Sequence, residues 1–268
     1  MPRDLFAEKK DKEALDKMPQ LTREPLASSP TTKSAPKSRF KTPSLVEERF
    51  QKMGLNPFVQ LLSQDDLDNC DWLEHAAFDP IEAATREKID YRLHLCGELC
   101  SGLFSSAYPT ETGPLGAIIK TRNFQPVDSN QSDRKQILLA HIIATKSTSA
   151  VVTDASMDYP KDWQTNYQLA PSTGHTEDGQ TICLHSLCVH PDFQGKGLAQ
   201  VLLRSYVQRI KDSGVARRIA LLSRERLVGF YEKAGFRKLG PSACQYGGGN
   251  WVDMVIDFQG GLDHDHEF

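Results

Sequence analysis

The sequence predicts an α/β fold, and three observations predict it. From residue 181 onward, apolar strand-like runs alternate with helical stretches in the order strand, helix, strand, helix, strand. That alternation is the signature of a sheet joined by helical crossovers. Of the 268 residues, 39% are apolar and 25% charged, which are globular values and exclude collagen-like, wholly disordered and disulfide-scaffold classes. At roughly 100–200 residues per domain, the length allows one large domain or two small ones.

Charge and proline divide the chain. Residues 1–45 carry ten Lys/Arg against six Asp/Glu, which leaves 22 against 29 for the remainder. They also hold six of the 15 prolines and only Phe6 and Phe40 as aromatics. Such a segment buries too little apolar area to offset its ordering entropy. The expectation is a disordered, basic, Pro/Ser/Thr-rich tail over 1–45, one folded domain over 46–260 with an insertion at about 107–135, and a flexible tail over 261–268.

Within the body, SLVEERFQKMGL reads as a helix. LSQDDLDNCDWLEHAAFDP reads as a second, with Ser63 as N-cap and Leu67, Trp72, Leu73 and Phe78 at helical spacing. IEAATREKIDYRLHLC is a third, with Ile81, Ala84, Ile89 and Leu93 as a partial stripe. Residues 105–135 mix GAIIK with turn-rich YPTETGP and QPVDSNQSD, an inserted loop or hairpin. QILLAHIIATKS is a short buried strand, and 148–180 is irregular. TICLHSLCVHP is a strand stopped by Pro191. GLAQVLLRSYVQRIKDSG is an amphipathic helix with Leu198, Val201, Leu202 and Ile210 inward and Gly214 ending it. RRIALLS is a strand, RERLVGFYEKAG a shorter helix closed by Gly235, and WVDMVIDF the final strand.

Composition also excludes functions. No run of about 18 apolar residues exists, so no membrane partner is expected. The N-terminus lacks the apolar core of a signal peptide, so a cytoplasmic location is expected. Six cysteines (Cys70, Cys96, Cys100, Cys183, Cys188, Cys244) have no paired metal spacing and read as reduced thiols in the core. A formal charge of −3 speaks against a nucleic-acid partner held by bulk positive charge. The C-terminal DHDHE alternates acids and histidines but is too short to define a metal site, and no metal is expected.

The chemistry-bearing stretch is LHSLCVHPDFQGKGLAQVLL, a strand end, a tight turn with Gly195 and Gly197, and a helix that starts at once. The first turn of such a helix has unpaired N–H groups and the positive end of the dipole. Small residues there (Gly195, Gly197, Ala199) let a diphosphate approach the backbone, with Gln194 and Lys196 adding polar contacts. The plain alternative is a strand-to-helix turn that uses glycine for geometry alone. Two rival phosphate loops fail: Lys196 is followed by Gly197 where a Walker A loop needs Ser or Thr, and Gln200 stands where a dinucleotide fingerprint needs its third glycine.

Gln194-x-x-Gly197-x-Ala199, between a strand and a helix, resembles the Gln/Arg-x-x-Gly-x-Gly/Ala signature of the GNAT N-acetyltransferases, and GFYEKAGFRKLGP resembles a later segment of the same superfamily. LHLCGELCSGLF, LHSLCVHPDFQGKG and LVGFYEKAGFRKLGP are similar to segments of the arylalkylamine (serotonin-type) N-acetyltransferases, and the chain reads as a fungal-type polyamine/arylalkylamine member. The resemblance implies the GNAT fold, a mixed central sheet with helices on both faces and a splayed strand pair that binds acetyl-CoA. It implies acetyl transfer from that co-substrate to a small primary amine, by direct attack in a ternary complex.

The resemblance further implies that Leu187, Cys188 and Val189 pair with the pantetheine arm. The amides of Gly195, Lys196, Gly197, Leu198, Ala199 and Gln200 would hold the diphosphate. An alkyl ammonium with a pKa around 10 must lose a proton before attack, and the departing thiolate needs a proton or a positive environment. His185 titrates near neutrality and is the candidate base. Strand alternation puts it on one face with Cys183 and Leu187. Cys183 stands where the serotonin-type enzymes carry a first histidine, which makes it a candidate relay or a mere space-filler. Tyr231 is the candidate proton donor at the CoA sulfur. Glu74 is an alternative base or ammonium anchor, and Phe78, Pro80 and Leu222 are candidates for an apolar wall around the amine.

Two competitors stay open: a protein lysine or N-terminus as acceptor, and a non-catalytic acyl-CoA-binding module. In the tail, Arg39-Phe40-Lys41-Thr42-Pro43 resembles the basic-threonine motif of the vertebrate serotonin enzymes, which implies a 14-3-3-type partner if Thr42 is phosphorylated.

Overall fold

Residues 181–258, the stretch most clearly patterned as sheet and crossover, hold four strands of a computed structural model that describes residues 45–128, 130–165 and 173–258. The elements run α1 (Leu45–Lys52), β1 (Pro57–Leu61), α2 (Leu67–Ala77), α3 (Arg86–Cys96), β2 (Ser101–Ala107), α4 (Gly113–Thr121), β3 (Pro126–Asp128) and β4 (Gln131–Ser147). They continue as α5 (Asp154–Met157), β5 (Thr181–Val189), α6 (Leu198–Ser213), β6 (Arg218–Ser223), α7 (Val228–Glu232), β7 (Arg237–Pro241) and β8 (Val252–Asp257). The sheet order is β1-β2-β4-β5-β6-β8-β7, with β3 paired to β4. Neighbours are antiparallel except β5 and β6, which are parallel. This is the mixed α/β sheet the sequence predicts.

Both faces of the sheet are covered. On one face Leu198, Leu202, Leu203, Tyr206 and Ile210 of α6 pack with Ile137, Leu139 and Ile142 of β4. Each such side chain contributes about 1.5–3 kcal/mol by leaving water. Gly214 ends α6 at φ 65°, a conformation that costs glycine little. On the other face Cys70 and Leu73 of α2 and Ile89 and Leu93 of α3 cover Leu138 and Ile143 of β4. Ser63 does cap the turn that leads into α2: its side chain accepts from Asp65 N–H, and Asp66 accepts from the Ser63 N–H in return.

Several sequence expectations are corrected. The third helix starts at Arg86 behind Thr85, whose hydroxyl accepts from Lys88 N–H, and Ile81 is 71% exposed, outside any stripe. QILLAHIIATKS is not a short strand but the end of the 17-residue β4. The inserted segment, expected as a loop or hairpin, does hold the β3–β4 hairpin, but it also holds the helix α4. β1, β2 and β7 had no clear alternation to announce them. Residues 1–44 with Thr42, and the DHDHE tail, lie outside the described residues. No helix among the described residues is long and apolar enough to cross a membrane.

Two irregularities of β5 position the site. Its parallel pairing with β6 runs only from Thr181 opposite Arg218 to Leu184 opposite Leu221, after which the strands part. On the other edge, the register with β4 slips between Ile143 and Ala144: Ser186 faces Ile143 and Leu184 faces Ala144, so His185 is the extra residue of a β-bulge. The bulge breaks the alternation expected from sequence. Cys183 packs with Val152, Met157 and Ala220, whereas Leu187 packs against the α6 side. The three residues 183, 185 and 187 do not share a face.

Candidate active site

Where β5 and β6 part, a cleft of about 670 Å³ opens between them. Leu184, His185, Leu187, Cys188 and Val189 line it from β5, Leu221 and Leu222 from β6, and Phe230 and Tyr231 from α7. Leu187, Cys188 and Val189 pair with β4 alone, opposite Ile142, His141 and Ala140, so the cleft side of the strand is free for an extended ligand to join.

At the end of β5, His190 caps a short turn by accepting from Asp192 N–H, and Gln194 donates to the Val189 carbonyl at 3.0 Å. Gly195 and Gly197 take φ of 69° and 93°, and Gly197 is the N-cap of α6 with no side chain to cap it. A Cβ at either glycine would meet nothing within 4 Å, so the turn is open and the glycines serve its left-handed backbone. The first amides of this 16-residue helix lack intrahelical acceptors, an arrangement that favours a nearby anion. The Leu198 side chain is buried in the core, which leaves its backbone for any ligand contact. Lys196 folds back, its Nζ donating to the Asp192 carbonyl and lying 4.9 Å from the Phe193 ring centre.

The polar centre lies on the β4–β5 face under α2. Glu74 is 2% exposed and lines the cleft. Its Oε1 accepts from Ala84 N–H at 3.0 Å, and its Oε2 accepts from Ser186 Oγ at 2.5 Å and lies 2.9 Å from His141 Nε2. His141 is fully buried, with the Ser186 hydroxyl at 3.0 Å and the Cys188 thiol at 3.2 Å from the same nitrogen. Burial pushes the Glu74 carboxyl up, but hydrogen bonds from His141, Ser186 and Ala84 and the nearby imidazole outweigh it and hold the group below its ordinary value. Burial pushes the Cys188 thiol well up. The bulge at His185 is what turns Ser186 and Cys188 toward His141.

His185 also lines the cleft, but its two nitrogens are occupied. Nε2 lies 2.8 Å from the Thr145 hydroxyl and Nδ1 lies 3.1 Å from the Met157 sulfur. A thioether only accepts, so Nδ1 carries the proton and Nε2 accepts from Thr145. Burial, with Arg92 and Lys88 nearby, holds the imidazole well below its usual pKa and therefore neutral. Cys183 is fully buried and outside the cleft lining, its thiol pushed up by burial to about 11. Tyr231 is 8% exposed, packed edge-on to Phe230 and Phe236, and burial pushes its phenol to about 12.

On the acceptor side, Phe78 and Leu222 line the cleft, while Pro80 is exposed and stands outside the lining. Glu82, Arg224, Tyr246 and Trp251 line it too, and sequence reading had singled out none of them. Arg224 donates to Glu82 at 2.6 and 3.0 Å and to the carbonyls of Gly249 and Asn250, and Tyr246 donates to the carbonyl of Glu82. These bonds tie the loop after α2 to the loop before β8. His141 left one signal in the sequence, a lone histidine in an isoleucine-rich run.

A family model described as "Acetyltransferase (GNAT) domain" matches residues 140–258, from the centre of β4 to just past β8. Among curated relatives, the serotonin N-acetyltransferase of Mesocricetus auratus is 37% identical over 82 residues, 31% of this chain and 40% of that protein. The one from Macaca mulatta is 33% identical over 88 residues, 33% of this chain and 43% of that protein. The chain thus spans about two fifths of the length of these relatives. A solved structure, the GphF GNAT-like decarboxylase in complex with isobutyryl-CoA, superposes with a TM-score of 0.50 at 13% identity, covering 75% of this chain and 100% of the other. At that identity the likeness concerns fold. The glycine turn, the open edge of β5, His185 and Tyr231 all lie inside the matched residues. Glu74 and Phe78 come from the helical segment before them.

Proposed function

We propose that the protein transfers acetyl from acetyl-CoA to the primary amine of a small arylalkylamine or polyamine, by direct attack in a ternary complex. The observation that carries this reading is the parting of β5 from β6, which leads a free strand edge from the glycine turn to the buried Glu74–Ser186–His141 group. The co-substrate's diphosphate fits the amides from Gly195 to Gln200, and its pantetheine arm fits the edge at Leu187, Cys188 and Val189. The aromatic rings of Phe78, Tyr246 and Trp251 suit an arylalkyl acceptor, and the Glu74 carboxylate suits its ammonium.

Neither His185 nor Glu74 has a pKa raised to meet the amine. Freeing an amine of pKa around 10 at pH 7 costs about 4 kcal/mol wherever the proton goes. In this reading Glu74 orients the ammonium and takes its first proton, which leaves to solvent. The free amine attacks the thioester carbonyl, and a C–N bond forms as the C–S bond breaks. The second amine proton ends on the departing sulfur, so one proton is released per turnover. Full transfer from a phenol at about 12 to a thiolate of pKa about 8.5 is uphill by roughly 5 kcal/mol. Tyr231 therefore acts as a hydrogen-bond donor to the developing thiolate. Cys183 has no part in this scheme.

The test is consumption of acetyl-CoA against a panel of arylalkylamines, polyamines, lysine peptides and free N-termini. Turnover with the small amines alone is expected. Turnover with peptides alone, or acetyl-CoA binding without turnover, overturns the reading.

A further inference from the structure

We propose that Glu74, His141 and Cys188 form a binding site for Zn2+ or a similar borderline-soft divalent cation at the floor of the cleft, and that its occupation shuts the acceptor side. One ligand atom from each residue lies within 4.8 Å of the others, and all three residues are buried. Among the described residues this is the one such set. Only the second half of the proposal rests on the acetyltransferase reading.

The donor set decides which ion fits. One thiol, one imidazole and one carboxylate match zinc sites that keep three protein ligands and an open fourth position. A single protein carboxylate is too little for Ca2+ or Mg2+, which demand oxygen. Zinc lies about 2.0–2.2 Å from nitrogen or oxygen and about 2.3 Å from sulfur. At tetrahedral angles that asks His141 Nε2 to stand about 3.4 Å from the carboxylate oxygen and about 3.6 Å from the thiolate. The present separations are 2.9 and 3.2 Å, so these two pairs have to open by about 0.5 and 0.4 Å.

Charge fits as well. A dication with one carboxylate and one thiolate is neutral overall, the state that costs least in a buried place. Binding releases the Cys188 proton to solvent and needs the imidazole proton on Nδ1. His141 Nδ1 is buried and has no hydrogen-bond partner in the structure, while Nε2 donates to Glu74, so the ring proton has to move to Nδ1 as the ion takes Nε2. Ser186 donates to Glu74 Oε2 at 2.5 Å and remains as a donor to the carboxylate, turning away from His141 Nε2, now at 3.0 Å, as the ion enters. Glu74 and Cys188 line the cleft, which gives the ion its path and the open fourth position its direction. An ion there occupies the carboxylate that the acceptor ammonium needs.

Cobalt(II) titration of the reduced, tag-free full chain tests the site on the resting protein, without turnover. The expected result is one equivalent of tetrahedral Co2+ with a thiolate-to-cobalt charge-transfer band, displaced by Zn2+. In Cys188→Ser the band disappears and affinity falls by more than the roughly 10- to 100-fold that loss of an outer-shell partner costs. Glu74→Gln keeps the band and weakens binding. The acidic, histidine-bearing C-terminus has no thiol, so ion binding there gives no such band. A wild-type chain without the band, or a band that survives in Cys188→Ser, overturns the site. Zinc bound as described without inhibition competitive with the amine overturns the second half alone. Failure of acetyl transfer leaves the cobalt result standing.

Discussion

The guanidinium of Arg224 lies 3.6 Å from the centre of the Trp251 ring while it ion-pairs with Glu82 on the opposite loop. Arg224 follows directly on β6, the strand that parts from β5, so one side chain joins the splayed sheet to both walls of the acceptor side. Its charge is shared between a carboxylate, three loop carbonyls and an aromatic face, which fixes the loops through a planar fork that lysine lacks.

Arg224→Gln should therefore loosen the acceptor wall and leave the glycine turn alone. The pair is mostly shielded, at 19% and 18% side-chain exposure. Loss of its charged hydrogen bonds should cost about 1.5–3 kcal/mol of stability. The KM for the amine should rise while the Kd for acetyl-CoA stays as it was. A variant with unchanged amine KM would detach this clamp from acceptor binding.

Gly197 gives a different kind of prediction. Its Cβ position is open, so valine there meets no clash in the free chain; the cost is a left-handed backbone at φ 93°, about 1–2 kcal/mol. A diphosphate that approaches the turn does meet the new side chain. Gly197→Val should stay folded, with Tm lowered by a few degrees, and lose most acetyl-CoA affinity in titration calorimetry. Affinity equal to wild type would remove the phosphate from this turn.

These cases mark what was legible in the sequence. The glycine turn was, because Gln194, Gly195 and Gly197 sit within four residues of one another and glycine at positive φ is a local requirement. The α7 helix that carries Tyr231 and the β5–α6–β6 crossover were legible too, since each is written in a contiguous run. The Glu74–His141–Ser186 group was not, because its members stand 45 to 112 positions apart and meet only through sheet register. The bulge at His185 was invisible too. A period-2 reading assigned Cys183, His185 and Leu187 to one face, and one extra residue in the strand undid it. Arg224 and Trp251 pair across two loops whose Gly-rich sequence, YGGGNW, announces a turn and nothing of its partner.

His185 and Glu74 should show separate acid windows. Both fold with pKa values below their ordinary ones, so each has its stabilising state above the unfolded pKa and loses it as pH falls toward the folded value. For His185 the loss begins near its ordinary 6.5, and for Glu74 near 4.5. His185→Gln should flatten the decline of unfolding free energy just below pH 6.5, where one group contributes up to about 1.4 kcal/mol per pH unit. Glu74→Gln should flatten only the decline below pH 4.5. Urea unfolding from about pH 2 to 8 reads both.

Activity should follow the same assignment. Because the His185 imidazole is neutral with both nitrogens engaged, His185→Gln should keep the wild-type shape of kcat/KM against pH. Glu74→Gln should lower kcat/KM by about 100-fold or more, as loss of a positioned proton acceptor does. The wild-type profile should climb with pH toward the amine's own pKa. An inflection near 6.5 that vanishes in His185→Gln would return the proton to the histidine.

Tyr231→Phe isolates the leaving-group side. The phenol at about 12 stays protonated throughout any practical assay range, so the variant's pH profile should run parallel to wild type and lower, with no limb lost. Removing one donor to a developing anion costs about 100- to 1,000-fold in kcat. The ring keeps its edge-on packing with Phe230 and Phe236 in the variant, so stability and acetyl-CoA affinity should hardly move. The deficit should shrink for a thioester whose thiol is more acidic than CoA, because a better leaving group needs the hydrogen bond less. A deficit that stays the same across such thioesters would place the Tyr231 hydroxyl away from the sulfur.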